Sequence, residues 1–169
     1  MKKLFILILT LILITTPIPT EASTKVPSKV TNAVERCGNE NGRCIVVDQS
    51  SGKMYLFKQC KGQWKLKRSF RCIVSTKLCR SKHYFLHRSD DIDMYAFGAD
   101  SDRWSYGIYV DCYEEPKSIL IHSYTDHYNG RTWKTKKSPM YNTFGIAVCE
   151  KNAKYIWDHY GDGTALMGV

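Results

Sequence analysis

Cys149 stands where a short apolar run, Phe144-Gly-Ile-Ala-Val148, gives way to the polar segment EKNAKYIWDHY. A thiol at such a junction suits nucleophilic chemistry only if a base draws off its proton, because an unperturbed thiol has a pKa of about 8.5. The histidine whose setting fits that base is His122, which precedes Ser123 in the apolar stretch ILIHSY. Base and nucleophile must approach within about 3 Å to work together. Each residue also has a plainer explanation. His122 could be a satisfied core side chain, and Cys149 a disulfide partner or a small buried thiol. Metal chemistry is not expected: there is no C-x-x-C pair, and His83 and His87 in HYFLH would share one strand face without a ligand cluster. The acidic SDDID at 89–93 lacks the spacing of a calcium loop. No cofactor is expected.

These residues need a scaffold, and from Cys44 onward the sequence reads as strands. CIVVD, KMYLFK and WKLKRSF are separated by the turn segments QSSG and QCKGQ, and WKLKRSF alternates apolar with cationic residues. Alternation at period two between glycine-bearing turns predicts an antiparallel meander with one wet face. HYFLH, WSYGIYVD and KSILIHS predict later strands, and RSDDIDMYAFGADSDR a long surface loop. EKNAKYIWDHY is the one helix predicted, with Ala153, Ile156, Trp157 and Tyr160 on a single face. GDG stops it, and TALMGV returns as a last strand. The fold class is mainly β, with one helix packed on the sheet near the C-terminus.

The first 22 residues read as a secretory signal: Lys2 and Lys3, then the apolar Leu4 to Ile14, then TTPIPTEA ending on Ala22. A run of eleven residues falls short of the roughly 20 that span a bilayer, although an uncleaved anchor is the competing reading. No later stretch is long and apolar enough to cross a membrane, so the expected product is an exported soluble chain of about 147 residues, one domain in size. Residues 23–42 read as a polar lead-in tied down through Cys37. Losing the signal changes the net charge from +9 to +8, and an exported cation of this kind meets anionic polymers or lipid surfaces. KGQWKLKRSFR and RTWKTKK read as solvated faces rather than dedicated motifs, and nucleic acid is not an expected partner. In an exported chain the seven cysteines, at 37, 44, 60, 72, 79, 112 and 149, predict disulfides, and their odd number leaves at least one thiol over.

Three segments taken in order carry a resemblance: CIVVDQSSGKMYLFKQCKGQWKLKRSF, WSYGIYV with SILIHSY, and NAKYIWDHYGDGTALMGV. Together they resemble the L,D-transpeptidase catalytic domain, also called the YkuD domain, over residues 43–169. The resemblance implies a sandwich or barrel-like sheet and a peptidoglycan setting. It also implies a cysteine thiolate that attacks a stem peptide on the carboxyl side of its third residue, a diamino acid. The acyl-enzyme then passes the peptide to an amine or to water, with oxyanion donors worth about 3 kcal/mol each. His122 and Ser123 fall where the family carries its general base and the following residue. The family's [ST]-H-G-C-[IV]-R does not survive. Reading back from NAKYIWD without a gap puts Gly145 at the cysteine and Ala147 at the arginine, with 141–144 where serine, histidine and glycine should precede. The family's T-P-x-G element is replaced by LCRSKHYF after Ser75-Thr76. Cys149 comes four residues late, about 13 Å along an extended strand.

The preferred expectation is a secreted or wall-associated, disulfide-reinforced L,D-transpeptidase-like protein without its thiol chemistry. It would bind peptidoglycan stem peptides or another anionic wall polymer. The alternatives are an active divergent enzyme using His122 with a relocated Cys149, and a cationic secreted effector.

Overall fold

In the computed structural model the described residues are 25–38, 41–95, 102–111, 119–142 and 145–169; the N-terminal apolar run and Cys112 lie outside them. The opening hairpins form as the alternation predicts: β1 (Arg43–Asp48), β2 (Lys53–Cys60) and β3 (Gln63–Arg71) pair antiparallel in sequence. The remaining strands of the main sheet are β4 (Ile73–Val74), β5 (Tyr84–Arg88), β8 (Ile108–Asp111), β9 (Ile119–Ser123), β12 (Gly145–Val148) and β13 (Ala165–Gly168). The nine run in the order β3-β2-β1-β13-β5-β8-β9-β12-β4. β3 passes into β4 through Cys72, and β4 pairs with β12 at the other end of that order. One continuous stretch of chain therefore joins both edges, curling the sheet into a nearly closed barrel. A smaller sheet, ordered β11-β10-β7-β6, holds β6 (Asp93–Tyr95), β7 (Asp102–Ser105), β10 (Asp126–Tyr128) and β11 (Trp133–Thr135).

The sheet departs from the expected antiparallel meander. β1 pairs parallel with β13, Ile45 beside Leu166, and β9 pairs parallel with β12, Ile121 beside Ile146. Period-two alternation reports burial and is blind to strand direction. The wet face expected for β1 and β2 is also absent, since residues 44–48 and 54–57 are all buried. The cause is a second helix, α1 (Ser28–Glu35), within the segment read as a polar lead-in. Its Val30, Ala33 and Val34 lie three and four residues apart, and with Cys37 they cover Cys44, Val46, Tyr55 and Phe57. The opposite face packs Ile45, Leu56, Ile121 and Ile146 against Ala153 and Ile156 of α2 (Glu150–Tyr160), the helix foreseen near the C-terminus.

α1 is also fastened by charge. Lys29 Nζ donates to Asp48 Oδ1 at 2.5 Å, and Ser50 N, Ser50 Oγ and Ser51 N donate to the same oxygen. Burial alone would raise the Asp48 carboxyl; those donors outweigh it and hold the group well below the usual carboxylate range. Among the described residues no helix is long and apolar enough to cross a membrane.

Candidate functional site

His122 and Ala147 sit side by side in the parallel β9–β12 pair, as do Leu120 and Gly145. Because side chains alternate along a strand, Gly145 and Ala147 lie on the sheet face that carries His122. These are the two positions where the resemblance places the nucleophile and the arginine.

The Gly145 backbone admits no side chain. Its φ is +142°, and a Cβ built there would stand 2.3 Å from the Leu120 carbonyl oxygen and 2.7 Å from its nitrogen. The Gly145 carbonyl is engaged as well, accepting from Ser75 N at 2.8 Å and Thr76 N at 3.3 Å. The strand has closed over the space a cysteine would need, and Ala147 beside His122 is itself fully buried.

His122 is fully buried, with the Trp104 ring centroid 5.6 Å away. Its Nδ1 lies 2.6 Å from the Ser123 carbonyl oxygen, which can only accept, so Nδ1 carries the proton and Nε2 the lone pair. Burial lowers the imidazole pKa to about 4, with the Ser123 carbonyl working weakly the other way. The ring is therefore neutral at physiological pH. Its Nε2 is buried and has no hydrogen-bond partner among the described residues.

Cys149 caps the N-terminus of α2 with its backbone: its carbonyl accepts from Asn152 N and Ala153 N, and its side chain makes no capping hydrogen bond. The residue is half-buried and close to Tyr124, whose N donates to the Val148 carbonyl at 2.8 Å. Burial raises the Tyr124 hydroxyl pKa, and the nearby Cys149 and Cys72 thiols add to the rise. The structure thus brings Cys149 to Tyr124 and makes no hydrogen bond between its sulfur and His122.

Ser123 Oγ accepts from Ser105 N at 2.8 Å, tying β9 to β7. It opens into a polar cavity of about 260 Å³ shared with Tyr124. The other walls are Asp93, Arg103, Ser105, Asp126, Thr135 and Glu150, of which the sequence drew attention only to Asp93, within the SDDID run rejected as a calcium loop. They come from β6, β7, β10, β11 and the first turn of α2, so only the folded chain gathers them. Arg103 pairs with Asp126 at 3.5 Å and lies over the Trp133 ring at 4.4 Å, while Thr135 Oγ1 donates to Asp126 at 2.8 Å. The loop beyond β9 is anchored by the buried Asn142, whose Oδ1 accepts from Thr125 N and Oγ1. Its Nδ2 donates to the Lys136 and Ser138 carbonyls. Three carboxylates face one guanidinium here, so the cavity is acidic within a cationic protein.

No family model and no curated protein matches the chain. Its fold does match solved structures. A fused zinc-dependent amidase/peptidase/peptidoglycan-binding domain-containing protein from Clostridium acetobutylicum superposes with a TM-score of 0.59, at 16% identity over 84% of this chain and 58% of that one. An L,D-transpeptidase in complex with imipenem gives 0.52, at 12% identity over 76% of this chain and 59% of that one. The Mycobacterium tuberculosis L,D-transpeptidase 1 gives 0.50, at 10% identity over 76% and 62%. This chain thus spans about three-fifths of each of those structures. It has the L,D-transpeptidase fold.

Proposed function

We propose that this is an extracytoplasmic, peptidoglycan-associated protein that binds wall stem peptides without cleaving them. The observation that carries the reading is Gly145, where the expected nucleophile has neither a side chain nor room for one. A fold does not bring its chemistry with it. What supports ligand binding is the acidic cavity beside Ser123: its carboxylates suit the amine of a diamino acid, and Arg103 suits a neighbouring carboxylate. Titration calorimetry with a purified stem tetrapeptide is expected to show saturable binding, with no product after prolonged incubation. Product formation that disappears in Cys149→Ala would overturn the reading.

The second reading, an active enzyme with a relocated thiol, is favoured by one observation: the buried, unclaimed Nε2 of His122. It requires stoichiometric labelling by a carbapenem at Cys149 that is lost in His122→Ala.

A further inference from the structure

The sheet carries a second feature that peptide binding does not explain. Arg43 on β1 stands directly opposite Lys58 on β2, and Lys58 directly opposite Lys65 on β3. Like charges facing each other across strands destabilise a sheet, and here three cations form an unbroken row. The register shift between Leu56 and Phe57 leaves Lys67 as the extra residue of β3, next to the row. All of these project on the side facing the C-terminal half of α2, because Ile45 and Leu56, two residues along from Arg43 and Lys58, belong to the core under that helix.

Between row and helix lies a polar cleft of about 340 Å³, walled by Arg43, Lys58 and Lys67 from the sheet and by Tyr155, His159 and Tyr160 from α2. Among the described residues its one carboxylate is Asp158, which Lys154 engages at 2.8 Å. The Arg68 guanidinium covers the Tyr155 ring, 3.5 Å from its centroid.

We propose that this cleft binds a linear phosphate polymer, its cation row lying along successive phosphates. Neighbouring strands are spaced by about 4.8 Å, so the row presents charge at the short, regular interval of a polyanion. Guanidinium and ammonium groups both bind phosphate oxygens. A membrane surface fits less well, because among the described residues the exposed large apolar ones, Ile92, Tyr128 and Met140, all lie outside the cleft. Single-stranded nucleic acid fits less well too: Arg68 covers the Tyr155 ring on which a base would stack, His159 lies against the same ring at 4.5 Å, and Tyr160 is buried. The inference is independent of the peptide reading and involves different residues.

The probe is short-chain inorganic polyphosphate, titrated against the full chain at several salt concentrations. Binding is expected to weaken steeply as salt rises, by the release of condensed counterions. Lys58→Glu with Lys67→Glu should weaken it at least about tenfold and flatten the salt dependence. Lys134→Glu with Lys137→Glu, an equal change of charge on the β10–β11 hairpin side, should leave it nearly unchanged. The thermal midpoint of Lys58→Glu should not fall, because the substitution replaces two repulsive cross-strand pairs with attractive ones. Lys67→Glu alone, at an exposed position, repeats the measurement should Lys58→Glu fail to fold. Absence of polyphosphate binding overturns the proposal, as does equal loss in both double variants, which would mark net charge alone. Tighter binding of phosphatidylglycerol vesicles or single-stranded DNA at matched phosphate would overturn it in favour of those partners.

Discussion

At the scale of single residues, Gly145 decides more than Cys149. Restoring the expected nucleophile as Gly145→Cys forces a Cβ against the Leu120 backbone in a conformation that L-residues rarely adopt. The expected cost is about 3 kcal/mol, read as a fall in thermal midpoint of roughly 10 °C, with no transpeptidase activity gained. A stable, active Gly145→Cys would mean that the strand can reopen, and the binding-only reading would lose its main support. His122 offers a test by pH. Its folded pKa of about 4 lies below the ordinary 6.5, so the unfolded chain takes up a proton that the folded chain refuses. The stabilisation by neutral His122 is complete above pH 6.5 and is lost as pH falls toward 4, by about 3 kcal/mol at the low end. In His122→Gln the thermal midpoint should decline less steeply across that window; identical slopes would show that the ring is not a buried neutral base.

At the scale of elements, α1 makes the sharpest contrast between sequence and structure. Ser28–Glu35 includes Thr31, Asn32 and two valines, poor helix formers, and buries only three side chains of its own. Its helicity is supplied by the sheet it covers, which no local pattern records. Strand direction was hidden in the same way, whereas α2 and β13 were legible because a helical face, a glycine stop and an apolar return fall in one short stretch. The site divides along the same line. His122, Ser123 and the empty Gly145 position could be read from segment order, while Asp93, Arg103 and Asp126 meet only through tertiary pairing. Val30→Ala, at a fully buried contact of α1, should cost about 2 kcal/mol, measurable by urea denaturation. The structure holds Cys37 and Cys44, near the end of α1, as thiols rather than as a disulfide, and we propose that they are the pair that oxidation would join. Cys37 and Cys44 are both buried in the cluster under this helix, and the Cys44 thiol pKa is pushed far up, first by its hydrogen bond to Cys37 and then by burial. In an oxidising compartment the two thiols would give two protons and two electrons to a disulfide oxidant. Peptide mapping of protein produced in an oxidising compartment, under non-reducing conditions, should find them joined, and reduction should cost about 2–3 kcal/mol. Independent alkylation of both residues would refute the bridge.

For the molecule as a whole, the last strand closes the structure. β13 lies between β1 and β5, pairing parallel with the first strand of the sheet and antiparallel with the fifth. Val169 N continues the ladder to the Val47 carbonyl, and Gln49 N donates back to the Val169 carbonyl. Until residues near 165 arrive, β1 to β3 have no bonded neighbour on that side, and the cores on the two faces of β1 stay open together. Leu166 is fully buried beside Ile45 and Tyr84, so Leu166→Ala should remove about 3 kcal/mol. Because the strand joins both halves, that loss should not be local. Trp64 packs against the α1 cluster and Trp157 against the α2 cluster, so each can report one side of the sheet. In single-tryptophan versions, both signals should move to lower denaturant by the same amount in Leu166→Ala and still coincide. If the Trp64 transition stayed in place while the Trp157 transition shifted, the α1 layer with β1 to β3 would be a separately stable unit. The cation row of β1 to β3 would then outlast the α2 wall of its cleft, and polyphosphate binding would have to be assayed on that unit as well as on the full chain.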